Sequence, residues 1–273
     1  MVSKVRLAIW RDRASLDSML GWSINLFRIR GILISLHFSF LLLLAYVCNE
    51  GWLAQGLPGL LWSAGTFLAF FTCVVLHELG HSLTAMRFGV HVRRILLMPI
   101  GGMAEFDRIP RLPSQELLIT IAGPAVNFVI AALLWCVVDL PGGWNIDSAS
   151  VSLGDLGRTL LSWNLVMGFF NLIPAFPMDG GRILRALLAL RLPYLRATYW
   201  AATIAKIVTV PGALIALYLG DYFVVAIFIF IFLAGEAEYR SVKRREAEEA
   251  YWKKVMQQSI VVPPTDEPPL LNS

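Results

Sequence analysis

The chain has 273 residues, 57% of them hydrophobic and only 15% charged, with a formal net charge of +4. That balance excludes an ordinary soluble domain and describes an integral membrane protein, in which the placement of Lys and Arg carries more meaning than their sum. No nucleic-acid partner is expected. The three cysteines, Cys48, Cys73 and Cys136, are too few and too far apart for a disulfide framework or a Cys-based metal site, and read as small apolar residues.

The first thirty residues mix Lys4, Arg6, Arg11, Arg13, Arg28 and Arg30 with Asp12 and Asp17, and no small-residue cleavage site follows an apolar core. No cleavable signal is therefore expected, and residues 1–30 read as a cytoplasmic segment. A membrane span needs roughly 20 apolar residues. On that ruler the spans fall near 31–48, 58–83, 116–138, 156–174, 200–219 and 221–238. The expected fold is an all-α integral membrane protein of about six transmembrane helices, with 31–238 as the membrane domain and 239–273 as a charged tail. Positive charge concentrates before the first span, between the second and third, between the fourth and fifth, and after the sixth. The positive-inside rule then puts both termini in the cytoplasm, in a membrane read as a bacterial plasma membrane. Lys206, near the start of the fifth span, is expected to snorkel to the interface. The tail begins as an amphipathic helix, "RSVKRREAEEAYWKKV", and ends in "PPTDEPP", read as disordered.

Between the second and third spans, "VHVRRILLMPIGGMAEF" (90–106) is β-branched and apolar around a Gly-Gly turn, which predicts a small β-hairpin dipping toward the membrane. Its edge, around Ile100, Gly101, Gly102 and Met103, is a candidate for pairing with an extended substrate segment.

The second span ends in "HELGH". Positions i and i+4 of a helix share a face, so His77 and His81 can offer imidazole nitrogens to one metal ion, and Glu78 projects beside it as a candidate general base. Three ionisable residues within five in an apolar run are costly unless they serve a function. A catalytic zinc site needs a third protein ligand, and His37, His91, Glu105 and Asp179 are the candidates. Asp179 is favoured because Pro174 and Pro177 must break the fourth span, and Gly180 and Gly181 then let the backbone approach closely. Both the second and fourth spans run inward, so "NLIPAFPMDGG" (171–181) reaches the level of the histidines.

"HELGH" followed about a hundred residues later by "NLIPAFPMDGG" resembles the site-2 protease family of intramembrane zinc metalloproteases, whose signatures are HExxH and N-x-x-P-x-x-P-x-D-G. The resemblance covers a three-span core at about 58–185. It implies one catalytic zinc ion held by His77, His81 and Asp179, with Glu78 as the catalytic base. "GPAVN" (123–127) resembles a further family element, which makes Asn127 a polar neighbour of the site, and Asn171 opens the second motif. Both asparagines are candidates for stabilising an oxyanion or supporting the site. "GILISLHFSF" (31–40) resembles the family's first span, with Phe38 where a proline often follows the histidine. The loop at 139–155 is too short for a PDZ module and the tail too short for paired CBS domains, so the chain resembles the compact branch of the family. The resemblance implies hydrolysis of a peptide bond within or near a transmembrane segment of a membrane-protein substrate, with a regulatory membrane partner in some members. Two other readings compete. A metal-ion transporter also places His and Asp in spans, but has no need of a glutamate that is not a ligand. An inactive scaffold of the same fold would not be expected to keep all four chemical positions.

Overall fold

The computed structural model describes residues 22–107, 112–138 and 153–260. The expected span near 31–48 does not begin as drawn. Residues Ser23–Ile29 and Ile32–His37 form two strands, β1 and β2, paired antiparallel through a turn in which Arg30 and Gly31 both have positive φ, 48° and 89°. Turns of that hand match the twist of a hairpin and favour glycine. The segment "ILISLH" alternates buried and half-buried residues too densely to tell a strand from the start of a span, and pairing with neighbours makes it a strand.

The predicted hairpin is present as β3 (Val92–Met98) and β4 (Gly101–Phe106), joined at Pro99 and Ile100. It is half of a larger unit than expected. β2 pairs with β3 in parallel, Leu33 opposite Arg94 through Leu36 opposite Leu97, to give one sheet in the order β1-β2-β3-β4. The fold is therefore mostly helical with a four-stranded sheet, rather than all-α with an isolated hairpin.

The connection between β2 and β3 is α1 (Phe38–Arg87), 50 residues long. A straight helix of that length would hold Phe40 and Phe71 about 45 Å apart at 1.5 Å per residue. Their rings instead meet at 4.7 Å, and Phe40 and Phe67 at 5.3 Å. The helix folds back at Gln55 and Gly56, where Gly56 takes φ 64°, and its two arms come together tightly enough that a side chain at Gly51 or Gly59 would strike the opposing backbone. The fold-back falls in "EGWLAQGLPG", the stretch where the sequence predicts a loop between the first two spans.

Then follow α2 (Pro113–Val138), α3 (Leu153–Asn171), the short α4 (Asp179–Ala189), α5 (Tyr194–Tyr218) and α6 (Tyr222–Ile260). Among the described residues, four helices, α1, α2, α5 and α6, are long and apolar enough to cross a membrane. α6 runs through 39 residues, so the charged stretch expected as a separate tail helix continues the last apolar helix without a break as far as Ile260. The "PPTDEPP" end lies outside the described residues. Lys206 does not simply reach for an interface: its Nζ lies 2.5 Å from Glu236 on α6, which Arg240 also holds at 2.8 Å.

The main core forms where the inner sheet face meets α1. Ile32, Ile34, Ile95 and Leu97 pack against Phe40, Phe71, Val74 and Leu79. This seats the sheet beside the turn of α1 that carries the two histidines. Two contacts then bring α2 onto α1 without intervening side chains. A Cβ at Gly80 would press on the Ala122 carbonyl, and one at Gly123 would strike the His81 ring.

A buried ionic group ties the remaining helices together. Arg185 on α4 is 1% exposed and Glu116 on α2 is 1% exposed. Nε and Nη2 of Arg185 donate to Glu116 Oε1 at 2.9 and 2.5 Å, and Nη1 donates to Glu238 of α6. The guanidinium lies between the rings of Phe176 and Tyr194, at 5.3 and 5.1 Å from their centroids. Such stacking uses the planar faces that its in-plane hydrogen bonds leave free.

Candidate metal centre

The loop 172–178 and the first turn of α4 deliver Asp179 to the histidine pair. α3 ends at Asn171, as the two prolines predict, and α4 begins at Asp179. A side chain at Gly180 would collide with the carbonyls of Leu172 and Ile173, and one at Gly181 with the backbone of Ala175 and Phe176. The two glycines thus allow the loop to fold directly onto the helix that follows it.

His77 Nε2, His81 Nε2 and Asp179 Oδ2 converge. The two nitrogens are 3.1 Å apart, and the carboxylate oxygen lies 3.3 Å from His77 and 3.1 Å from His81. All three residues are buried and form a group of metal-ligand type. A tetrahedral site with bonds of about 2.0–2.1 Å has edges of about 3.3–3.4 Å, close to the triangle seen here.

Hydrogen bonds behind the rings fix which atoms carry protons. The Ile119 carbonyl can only accept, so His81 Nδ1 donates to it at 2.8 Å. For His77 the same conclusion is reached through a relay. Asn164 Nδ2 donates to the Leu160 carbonyl at 2.8 Å, which turns Asn164 Oδ1 toward Asn127 Nδ2 at 3.0 Å. Asn127 Oδ1 then faces His77 Nδ1 at 2.5 Å and accepts its proton. Both neutral imidazoles therefore present bare Nε2 lone pairs toward each other and toward a carboxylate oxygen. With both rings neutral, three acceptors face one another, an arrangement that a cation at the centre of the triangle satisfies, as does a ring proton donated to Asp179 Oδ2.

The other expected ligands have different partners. His37 caps α1, accepting from the Ser39 amide at 3.2 Å. His91 is largely exposed and pairs with Asp107, while Glu105 pairs with Arg94 at 2.8 Å. Asn127 is fully buried behind His77, on the side away from Nε2. Asn171 instead lines the cavities around the triangle, as do Glu78, Ile100 and Gly102. Gly102 packs so closely on Glu78 that a Cβ there would lie 2.5 Å from Glu78 Cγ. Gly101 borders one of these cavities and Met103 the other. Asn164, Glu116 and Arg185 are absent from the residues singled out in the sequence. The available signal was the one used for the histidines, a polar residue inside an apolar helix.

The model of Peptidase family M50 matches residues 65–149 and 146–217, more than half of the chain. A zinc metalloprotease of Methanocaldococcus jannaschii is 38% identical over 244 residues, which is 89% of this chain and 67% of that relative. The chain belongs to this family. It is also similar to Stage IV sporulation protein FB of Bacillus subtilis, 29% identical over 54% of this chain and 48% of that protein. The solved structure of a site-2 protease from Methanocaldococcus jannaschii matches with a TM-score of 0.57 at 40% identity, covering 80% of this chain and 95% of that one. The chain is thus a membrane metalloprotease of the site-2 type.

Proposed function

We propose that this chain cleaves a peptide bond within or beside a transmembrane segment of another membrane protein, using one zinc ion held by His77, His81 and Asp179. The observation that carries the assignment of ligands is the meeting of three buried lone-pair donors whose only protons point away from the triangle. When bound, zinc supplies a Lewis acid for the scissile carbonyl and lowers the pKa of the attacking water. Glu78 stands beside the triangle in both cavities, where its carboxylate takes the proton of that water and hands it to the leaving amine. Asn171, open to the same space, donates to the developing oxyanion. Asn127 acts one step back, holding the His77 ring in the tautomer and orientation that a metal requires.

The substrate must be extended to be cut, and the β4 edge borders the site at Gly102, Met103 and Ala104, so we assign it the role of pairing with the unwound segment. Counting the two arms of α1 separately and adding the 19-residue α3 to α2, α5 and α6 gives the six spans expected from the sequence, with a catalytic core at about 58–185. The distribution of Lys and Arg supports cytoplasmic termini. A transporter would spread its ligands along a path, whereas these gather at one point beside a glutamate that is not among them.

Purified protein with a single-span model substrate tests the proposal. Cleavage is expected to stop with a chelator and return with zinc. Glu78→Gln is expected to lower kcat by about 10²- to 10⁴-fold with bound zinc unchanged. Cleavage that persists after the metal is stripped, or in the Glu78→Gln protein, would remove these residues from their roles.

A further inference from the structure

Two cavities reach the metal triangle from opposite sides, and their chemistry differs. One, of about 530 Å³, opens toward the part of α1 that follows His81 and is lined by Ala85, Glu116, Arg182 and Phe230 among others. The other, of about 640 Å³, lies between the two arms of α1 and α3. They share six residues, His77, Glu78, Ile100, Gly102, Phe170 and Asn171. These six make a neck, with the candidate base on one wall, the β3–β4 turn on another and the end of α3 on the third.

Beyond the neck the larger cavity has no charged side chain. Its walls are aliphatic and aromatic: Leu43 from the first arm, Phe67, Phe70 and Val74 from the second, Trp163 and Val166 from α3. Phe70 and Trp163 meet edge to face at 5.0 Å and close its floor. The wall residues on the second arm precede His77 by up to three turns, which takes them away from the Arg-rich end of α1 and into its most apolar stretch. The smaller cavity lies past His81 and is polar at His81, Thr120, Asp179 and Arg182, with Glu116, already held by Arg185, in its wall. A large apolar side chain gains free energy on burial in the first, while an ionised side chain there would lose its hydration with nothing to replace it.

We propose that the two cavities are unlike subsites flanking the scissile bond: the larger receives a bulky aliphatic or aromatic side chain of the substrate, and the smaller receives its polar flank. This rests on the protease reading and deepens it, because it makes the enzyme read the boundary between a span and its polar border. The neck sets the cut at that boundary. Continuity of both cavities with Glu78 and His77 identifies the occupant as the chain being cleaved.

The test uses the zinc-loaded protein and a single-span model substrate in which each of the three residues on either side of the scissile bond is made Ala, Phe or Glu. On one side Phe is expected to be cleaved more than about tenfold better than Glu. On the other side Glu and Phe should be nearly equal. Val166 is 64% exposed at the rim of the larger cavity, so Val166→Phe narrows the entrance and should lower the Phe-to-Ala ratio of kcat/KM on the sensitive side by roughly fivefold or more. In the Glu78→Gln protein, an apolar photoreactive residue on the sensitive side should crosslink to α3 or to the first arm of α1, and one on the other side should not. A flat profile, an unchanged ratio in Val166→Phe, or crosslinks to lipid alone would overturn the subsites and leave the protease reading standing. If no substrate is cut even with zinc restored, the protease reading itself fails, and the subsites with it.

Discussion

Two polar groups lie buried side by side, both anchored on α4 and touching α2, with the histidines of one on α1. On α2, Ile119 orients His81, and Glu116 sits three residues earlier; on α4, Asp179 opens the helix and Arg185 follows six residues later. The Arg185 group holds its own cation, although Glu116 Oε2 is buried with no hydrogen-bond partner among the described residues. Its guanidinium sends hydrogen bonds to two carboxylates and lies between two rings, so charge and donors are met from inside the chain. The His77–His81–Asp179 group holds no cation of its own: with both rings neutral, three acceptors face one another, and the ring protons point to Asn127 and Ile119. Burial alone therefore says little about function. What separates the two groups is the balance of donors and acceptors, since a buried polar group without its counterpart is unstable until something from outside the chain supplies it.

That contrast breaks if removal of a triangle residue leaves metal binding intact. Asp179→Ala and Asp179→Asn are expected to weaken zinc binding by more than about 100-fold, beyond what the loss of a supporting hydrogen bond costs. Glu105→Gln, His91→Ala and His37→Ala should each retain zinc, since these side chains serve an ion pair, an exposed pair and a helix cap. Bound zinc per protein, measured after dialysis against a graded chelator, compares the five. Normal zinc in both Asp179 variants, with loss in one of the others, would reassign the third ligand.

The triangle was legible in the sequence because its chemistry is written locally. HExxH sets two ligands one turn apart, and the two prolines and two glycines around Asp179 announce a broken helix with room for close approach. The fold-back of α1 was legible too, at the Gly- and Pro-containing stretch that contains Gly56. The sheet was not. Residues 31–37 are apolar enough to begin a span, and nothing within them states that their partner is β3, nearly sixty residues away and reached only after α1 has doubled back. The Asn164–Asn127–His77 relay and the Arg185 group were equally hidden, because a partner on another helix has no fixed spacing in the sequence.

The relay offers a sharper version of the comparison. Asn127→Ala removes the acceptor of the His77 Nδ1 proton without touching a ligand, and should lower zinc affinity by about 10- to 100-fold, the usual effect of losing such a partner. Asn164→Ala, one step further back, should cost less. Gly123→Ala probes the same region by volume, since its methyl would occupy space held by the His81 ring. Competition with a zinc-binding dye in detergent would measure all three. Equal affinity in Asn127→Ala and in the unaltered protein would mean that the His77 orientation does not depend on the relay.

The smallest effect on the metal is expected from the Arg185 group. Arg185→Met removes the cation that pairs with Glu116, and breaking one side of a buried ion pair usually costs about 3–5 kcal/mol because the remaining charge is left without a partner. The loss should appear as a lower unfolding temperature in detergent. Zinc affinity, measured well below that temperature, should change little, because no ligand and no hydrogen bond behind a ligand involves Arg185. Adding Glu116→Gln to Arg185→Met should recover part of the stability by discharging the stranded carboxylate. If Arg185→Met instead loses zinc as fully as Asp179→Ala while remaining folded, the two groups are one functional unit, and the donor balance that separates them does not divide structure from chemistry in this protein.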